Sequence, residues 1–84
     1  MHYLVYILHS LTKDKFYIGY SSDLKERIIR HNQKSNGFTG SNNDWELKYY
    51  EPFDNKNDAI NREKQIKSWK SKIKIKELIT TSDL

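Results

Sequence analysis

Tyr3-Leu4-Val5-Tyr6-Ile7-Leu8 and Phe16-Tyr17-Ile18-Gly19-Tyr20, separated by the turn-like stretch His9–Lys15, decide the fold of this chain. Both runs are aromatic and β-branched and contain no proline, which is strand composition. The link between them is too short for a crossover helix, so the strands pair antiparallel. Alternation puts Leu4, Tyr6 and Leu8 on one face of the first strand and Tyr3, Val5 and Ile7 on the other. On the second strand Tyr17 and Gly19 oppose Phe16, Ile18 and Tyr20. A glycine inside a strand marks a bulge or a close approach by a ligand or another backbone.

Working outward, Ser22 or Asp23 caps a helix that runs to about Lys34, with Glu26 three residues beyond Asp23. Ser35–Asp44, rich in Asn, Ser and Gly, reads as a loop. Trp45–Phe53 resumes strand character and is closed by Pro52. Asn55 or Asn57 starts a second helix that ends near Ser68. Lys72-Ile73-Lys74-Ile75-Lys76 alternates like a strand, but its composition also suits a helix, expected from about Ser71 to Ile79. The order β-β-α-β-α-α makes an α+β domain, a small three-stranded antiparallel sheet flanked by helices, expected to occupy residues 1–84 as one unit.

With 84 residues, 36% hydrophobic and 31% charged, the chain has a thin core in which aromatics carry much of the apolar area. It has no cysteine, which excludes a disulfide scaffold, a thiolate metal site and a thiol nucleophile. The longest apolar run, Leu4–Leu8, is far short of the ~18 residues of a membrane span, and no basic leader precedes it. A cytoplasmic location with no membrane partner is expected. The net charge is +4, yet the segment from Arg62 to Glu77 alone carries seven basic residues against two acids, a local +5, which leaves the remainder at −1. Such a basic end suits a polyanion such as nucleic acid through phosphate contacts. It equally suits a lysine-rich solubilising face.

The helices place ionisable groups where apolar ones belong. On the first, Leu24, Arg27, Ile28 and His31 fall at i, i+3, i+4 and i+7, the core-facing stripe. On the second, Ala59, Ile60 and Ile66 mark the apolar stripe and Glu63 falls among them. A carboxylate there is costly to bury without a cation, a metal or several donors. Taken singly, Arg27 can snorkel, His31 can be a satisfied semi-buried histidine, Glu63 can pair with Lys67, and Tyr6 or Tyr17 can be packing residues. Together they point to a site.

These residues resemble the motifs of the GIY-YIG nuclease family, and among its subfamilies most resemble the small stand-alone bacterial members, similar to the N-terminal nuclease module of the repair subunit UvrC. Tyr17-Ile18-Gly19 matches the second half of the name motif. Leu4-Val5-Tyr6 matches the first, keeping the tyrosine and losing the glycine. Asp23–Arg27 followed by His31 resembles the family's first helix, and Arg62–Lys67 its metal-binding segment. The resemblance covers about residues 3–79.

What it implies is a single-metal endonuclease hydrolysing DNA phosphodiesters, in DNA repair or processing. Tyr6 would be the general base or its close helper. Since a free phenol has a pKa of ~10, that role requires positive charge nearby or donation from Tyr17. His31, ordinarily near ~6.5, would take that proton or serve as base itself. Arg27 would pair with a non-bridging phosphate oxygen as charge gathers there. Glu63 would be the one protein ligand to Mg²⁺, with Mn²⁺ as a substitute. From the charge of the C-terminal segment rather than from the resemblance, Lys67, Lys70, Lys72, Lys74 and Lys76 are the candidates to contact DNA, single- or double-stranded, or else they keep the domain soluble. No separate recognition domain is expected, so sequence preference would be weak, or targeting would come from a partner or from self-association. A nucleic-acid-binding module without cleavage and a protein-interaction domain are the alternatives that composition leaves open.

Overall fold

Alternating apolar residues build the sheet. A computed structural model of the protein describes residues 2–33 and 44–81. Its three strands are β1 (Tyr3–Ser10), β2 (Lys15–Ser21) and β3 (Trp45–Phe53), antiparallel throughout, with β1 in the centre of the order β2-β1-β3. The helices are α1 (Leu24–Gln33), α2 (Lys56–Ser68) and α3 (Lys72–Thr80). The expected element order holds, and the ambiguous lysine-isoleucine segment is helical. Ser71 settles it by acting as N-cap, its side chain accepting from the Lys74 amide. The expected loop Ser35–Asp44 lies outside the described residues except for Asp44.

Pro52 does not close β3, which continues to Phe53 with Pro52 opposite Leu4. A proline is tolerated there because β3 is an edge strand and one of its rows of amides needs no partner. The register between β1 and β3 shifts between Ile7 and Leu8, so the bulge lies on β3 and not at Gly19.

The two faces of β1 receive different layers. Val5 and Ile7, with no exposure, pack with Ile18, Tyr49, Ala59, Ile66 and Ile75, so α2 and α3 cover this face. Tyr6 and Leu8 point the other way, where the ring of His31 on α1 approaches those of Tyr6 and Tyr17. Asp14 ties the β1–β2 turn to α3: its carboxylate meets His9 at 3.1 Å and Lys72 at 3.4 Å, and its carbonyl accepts from Lys72 at 2.7 Å. These bonds hold the Asp14 carboxyl below the usual range.

Candidate active site

Antiparallel pairing sets Tyr6 opposite Gly19 and Leu8 opposite Tyr17. Tyr6, Gly19 and Tyr17 therefore share a face of adjacent strands. The Tyr6 and Tyr17 rings lie with centroids 6.2 Å apart and planes 27° from parallel. Gly19 is what admits them: a Cβ there would stand 2.8 Å from the Tyr6 hydroxyl oxygen and 2.9 Å from the Tyr17 ring. The close approach is that of two side chains.

The start of α1 is fixed by two successive side-chain acceptors. The Asp23 amide donates to Ser21 Oγ (2.9 Å), and the Glu26 amide donates to Asp23 Oδ1 (3.2 Å), which makes Asp23 the cap. At the far end Asn32 clamps α1 to β3, accepting from the Trp45 amide at 2.9 Å and donating to its carbonyl at 3.3 Å. Between these anchors His31 lies edge-on to Tyr17, ring centroids 4.2 Å apart, and 6.4 Å from Tyr6. Arg27 projects from the same helix but is exposed, not buried on the inward stripe. Its side chain lines an open cleft with Tyr6 of β1 and Tyr17 and Gly19 of β2.

Helix α2 presents Glu63. Asn55 caps it by accepting from the Asp58 amide at 2.9 Å, while its own amide group donates to the Asp58 carboxylate at 3.0 Å. Ala59 and Ile66, both fully buried, press the helix on the sheet, and Glu63 lies between them with 15% of its side chain exposed. The rotation of α2 is further held by Arg62, which donates to Glu51 of β3 through Nε (3.1 Å) and NH2 (3.0 Å) and to Gln65 through NH1 (2.9 Å). Tyr49 donates its hydroxyl to the same Glu51. Arg62, counted in the sequence with the basic run, is thus a structural ion pair.

Tyr6, Tyr17, Arg27 and Glu63 converge on one cleft of about 430 Å³, together with Tyr3, Gly19, Tyr20, Ser21, Ser22 and Lys56. His31 is outside this lining and abuts Tyr17. None of Lys67, Lys70, Lys72, Lys74 and Lys76 lines it. Lys67 pairs with Glu63 at 3.5 Å and Lys72 with Asp14. Lys74 and Lys76 border a separate groove beside Trp69 and Ile73. The lysine of the cleft is Lys56. It stands seven residues before Glu63, two turns along the same helical face, so spacing alone could have found it.

The electrostatics of the cleft are lopsided. Burial and the neighbouring Tyr17 push the Tyr6 phenol up to about 12, Arg27 pulls the other way, and Glu63 adds a smaller push. Among the described residues neither Arg27 nor Lys56 forms an ion pair. No group of three metal-ligating side chains exists among the described residues, and Glu63 is the one carboxylate of the cleft. A single carboxylate fits an ion such as Mg²⁺ that keeps most of its water and completes its shell with phosphate oxygens. It does not fit a closed all-protein cage. Among the described residues no helix is long and apolar enough to cross a membrane.

Known proteins are similar to this chain in sequence and fold. The chain is 38% identical over 61 residues to the UPF0213 protein SSP2268 of Staphylococcus saprophyticus, covering 71% of this chain and 74% of that one. It is 33% identical over 75 residues to the UPF0213 protein SERP0126 of Staphylococcus epidermidis, covering 88% and 90%. The solution structure of the UPF0213 protein BH0048 from Bacillus halodurans superposes with a TM-score of 0.60 at 27% identity, covering 95% of this chain and 84% of that one. Residues 2–76 match the GIY-YIG catalytic domain, a nuclease-type fold. With nearly the whole described core inside that match, the chain belongs to the GIY-YIG family.

Proposed function

We propose that this chain is a divalent-metal-dependent endonuclease that hydrolyses DNA phosphodiester bonds in the cytoplasm, in repair or processing. The observation that carries the proposal is the meeting, in one cleft, of two phenols, one carboxylate and an Arg27 guanidinium without an anionic partner among the described residues. A phosphodiester supplies what that guanidinium lacks, and Arg27 gains strength as negative charge accumulates on the non-bridging oxygens during attack.

With its pKa pushed up to about 12, Tyr6 is a neutral phenol at pH 7. In that form it orients the attacking water by hydrogen bonding and is a poor proton acceptor by itself. The proton leaves toward His31, whose ring meets Tyr17 edge-on and whose ordinary pKa of ~6.5 suits a base near neutrality. Tyr17, whose ring meets those of both Tyr6 and His31, holds them in place. Glu63 would hold the metal, which when bound supplies Lewis-acid stabilisation to the departing 3′ oxygen.

The test is cleavage of labelled single- and double-stranded DNA with Mg²⁺ and with EDTA, by the wild type and by Glu63→Ala. Cleavage that needs the cation and falls at least ~100-fold in Glu63→Ala, with an unchanged melting temperature, is the expected result. Equal rates in both proteins would remove Glu63 from the metal site. Salt-dependent DNA binding with no cleavage under Mg²⁺ or Mn²⁺ would replace the enzyme with a binding module.

A further inference from the structure

Lys56 is the first residue of α2, directly after the Asn55 cap. A cation at that position opposes the helix macrodipole, whose positive end lies at the N-terminus, where an acid is favoured instead. Local stability therefore does not explain the residue. Nor does an ion pair: Lys56 has none among the described residues, although Lys67 on the same helix has one. What Lys56 does have is a place in the cleft wall, with Tyr3, Tyr20, Arg27 and Glu63.

We propose that Lys56 is a phosphate-binding residue that grips a DNA phosphate next to the scissile one. Arg27 comes from α1 and Lys56 from α2, so the two cations enter the cleft from different helices with Glu63 as the carboxylate beside them. The backbone then runs from Arg27 toward Lys56, whose ammonium meets the neighbouring phosphate. The lysines of the C-terminal third are not needed for this path. The proposal rests on the nuclease reading of the same cleft, and adds to it which cation positions the strand and which way the strand lies.

The test measures binding apart from cleavage. A short fluorescein-labelled single strand and its duplex are titrated by anisotropy at several salt concentrations, with Glu63→Gln as the uncleaving parent. Lys56→Ala in that parent should weaken binding about tenfold at low salt and lower the magnitude of the salt slope by about 1. Lys56→Arg should restore the slope, and Lys13→Ala, in the β1–β2 turn away from the cleft, should not reproduce the loss. The melting temperature of Lys56→Ala should stay level or rise, because the unfavourable dipole contact is gone. A binding parent whose affinity and slope survive Lys56→Ala overturns the assignment while leaving the nuclease reading intact. A parent that binds no DNA at low salt overturns both.

Discussion

Replacing Gly19 by alanine tests whether the paired phenols are held by shape. Gly19 does not have a left-handed φ, so the substitution costs nothing in backbone geometry. All of its cost comes from the added methyl, which would sit 2.8 Å from Tyr6 Oη, 3.0 Å from Tyr6 Cζ and 2.9 Å from Tyr17 Cε1. Tyr17 is 39% exposed and can swing aside, whereas Tyr6 is 1% exposed and has nowhere to go. Overpacking of this kind costs ~1–3 kcal/mol, and the loss of unfolded-state freedom on Gly→Ala returns ~0.4–1 kcal/mol. The net is a destabilisation of about 1–2 kcal/mol, which in a domain this small lowers the melting temperature by roughly 5–15 °C.

The assay is thermal unfolding paired with cleavage rates at a temperature where both proteins are folded. A shift of the Tyr6 hydroxyl by a few tenths of an ångström should lower the rate severalfold, toward the ~100-fold that a full ångström costs. Adding Tyr6→Phe to Gly19→Ala removes the closest overlap but leaves the one at Cζ, so part of the stability returns while the activity does not. A Gly19→Ala protein that melts and cleaves like the wild type would refute the idea that Gly19 is there to admit Tyr6.

Arg62→Ala should lower stability by about 1–2 kcal/mol, less than a fully buried pair because roughly a quarter of each side chain is exposed; cleavage should fall too, since α2 carries Glu63, and denaturant unfolding alongside rates checks both. Tyr6 has a folded pKa of about 12 against ~10 for a free phenol, so its proton stabilises the fold fully below pH ~10 and ceases to do so as pH rises toward 12. Tyr6→Phe should flatten that alkaline loss in pH-dependent unfolding, leaving the smaller part of the same sign that Tyr49 contributes. With Tyr6 neutral, the pH–rate profile should carry an acid limb that His31→Ala abolishes; a rate that levels off only toward pH about 12, where Tyr6 ionises, would make Tyr6 the base instead. Lys70 follows the α2 C-cap with φ 49°, the position glycine favours, so Lys70→Gly should raise stability by about 0.5–1 kcal/mol in thermal unfolding.

The strands were legible because alternation is local, and so was the inward place of Glu63, since Ala59 and Ile66 lie within one turn of it. Arg27 was half legible. Helical spacing gave its direction correctly, but spacing alone does not say whether that direction ends in core or in an open cleft. Arg62 was misread as part of a basic run, because its partner Glu51 lies on another element and no periodicity links them. The lysines of α3 show the same limit. Charge density along a chain does not say where the charges sit around the molecule, and α3 turns its lysines to Asp14 and to a second groove. Asn32, whose side chain sets the end of α1 against Trp45, has no signal in sequence at all; an Asn near a helix end reads as an ordinary terminus.

The residues of the cleft share one property that ordinary stability does not favour. Tyr6 carries a phenol where burial suppresses its ionisation, Arg27 extends into solvent without a counter-charge among the described residues, Lys56 opposes the dipole of its own helix, and Gly19 gives up the side chain that a strand would use for packing. Each departure is small, and each is compensated nearby: the Asp23 and Asn55 caps, the Asn32 clamp and the Arg62–Glu51 pair fix the same helices that carry the unfavourable groups. A surface selected only for solubility would have no reason to place its compensations around one concavity. The cleft is short of one anion, and a phosphodiester backbone running from Arg27 to Lys56 is the ligand whose charge and shape relieve both cations at once.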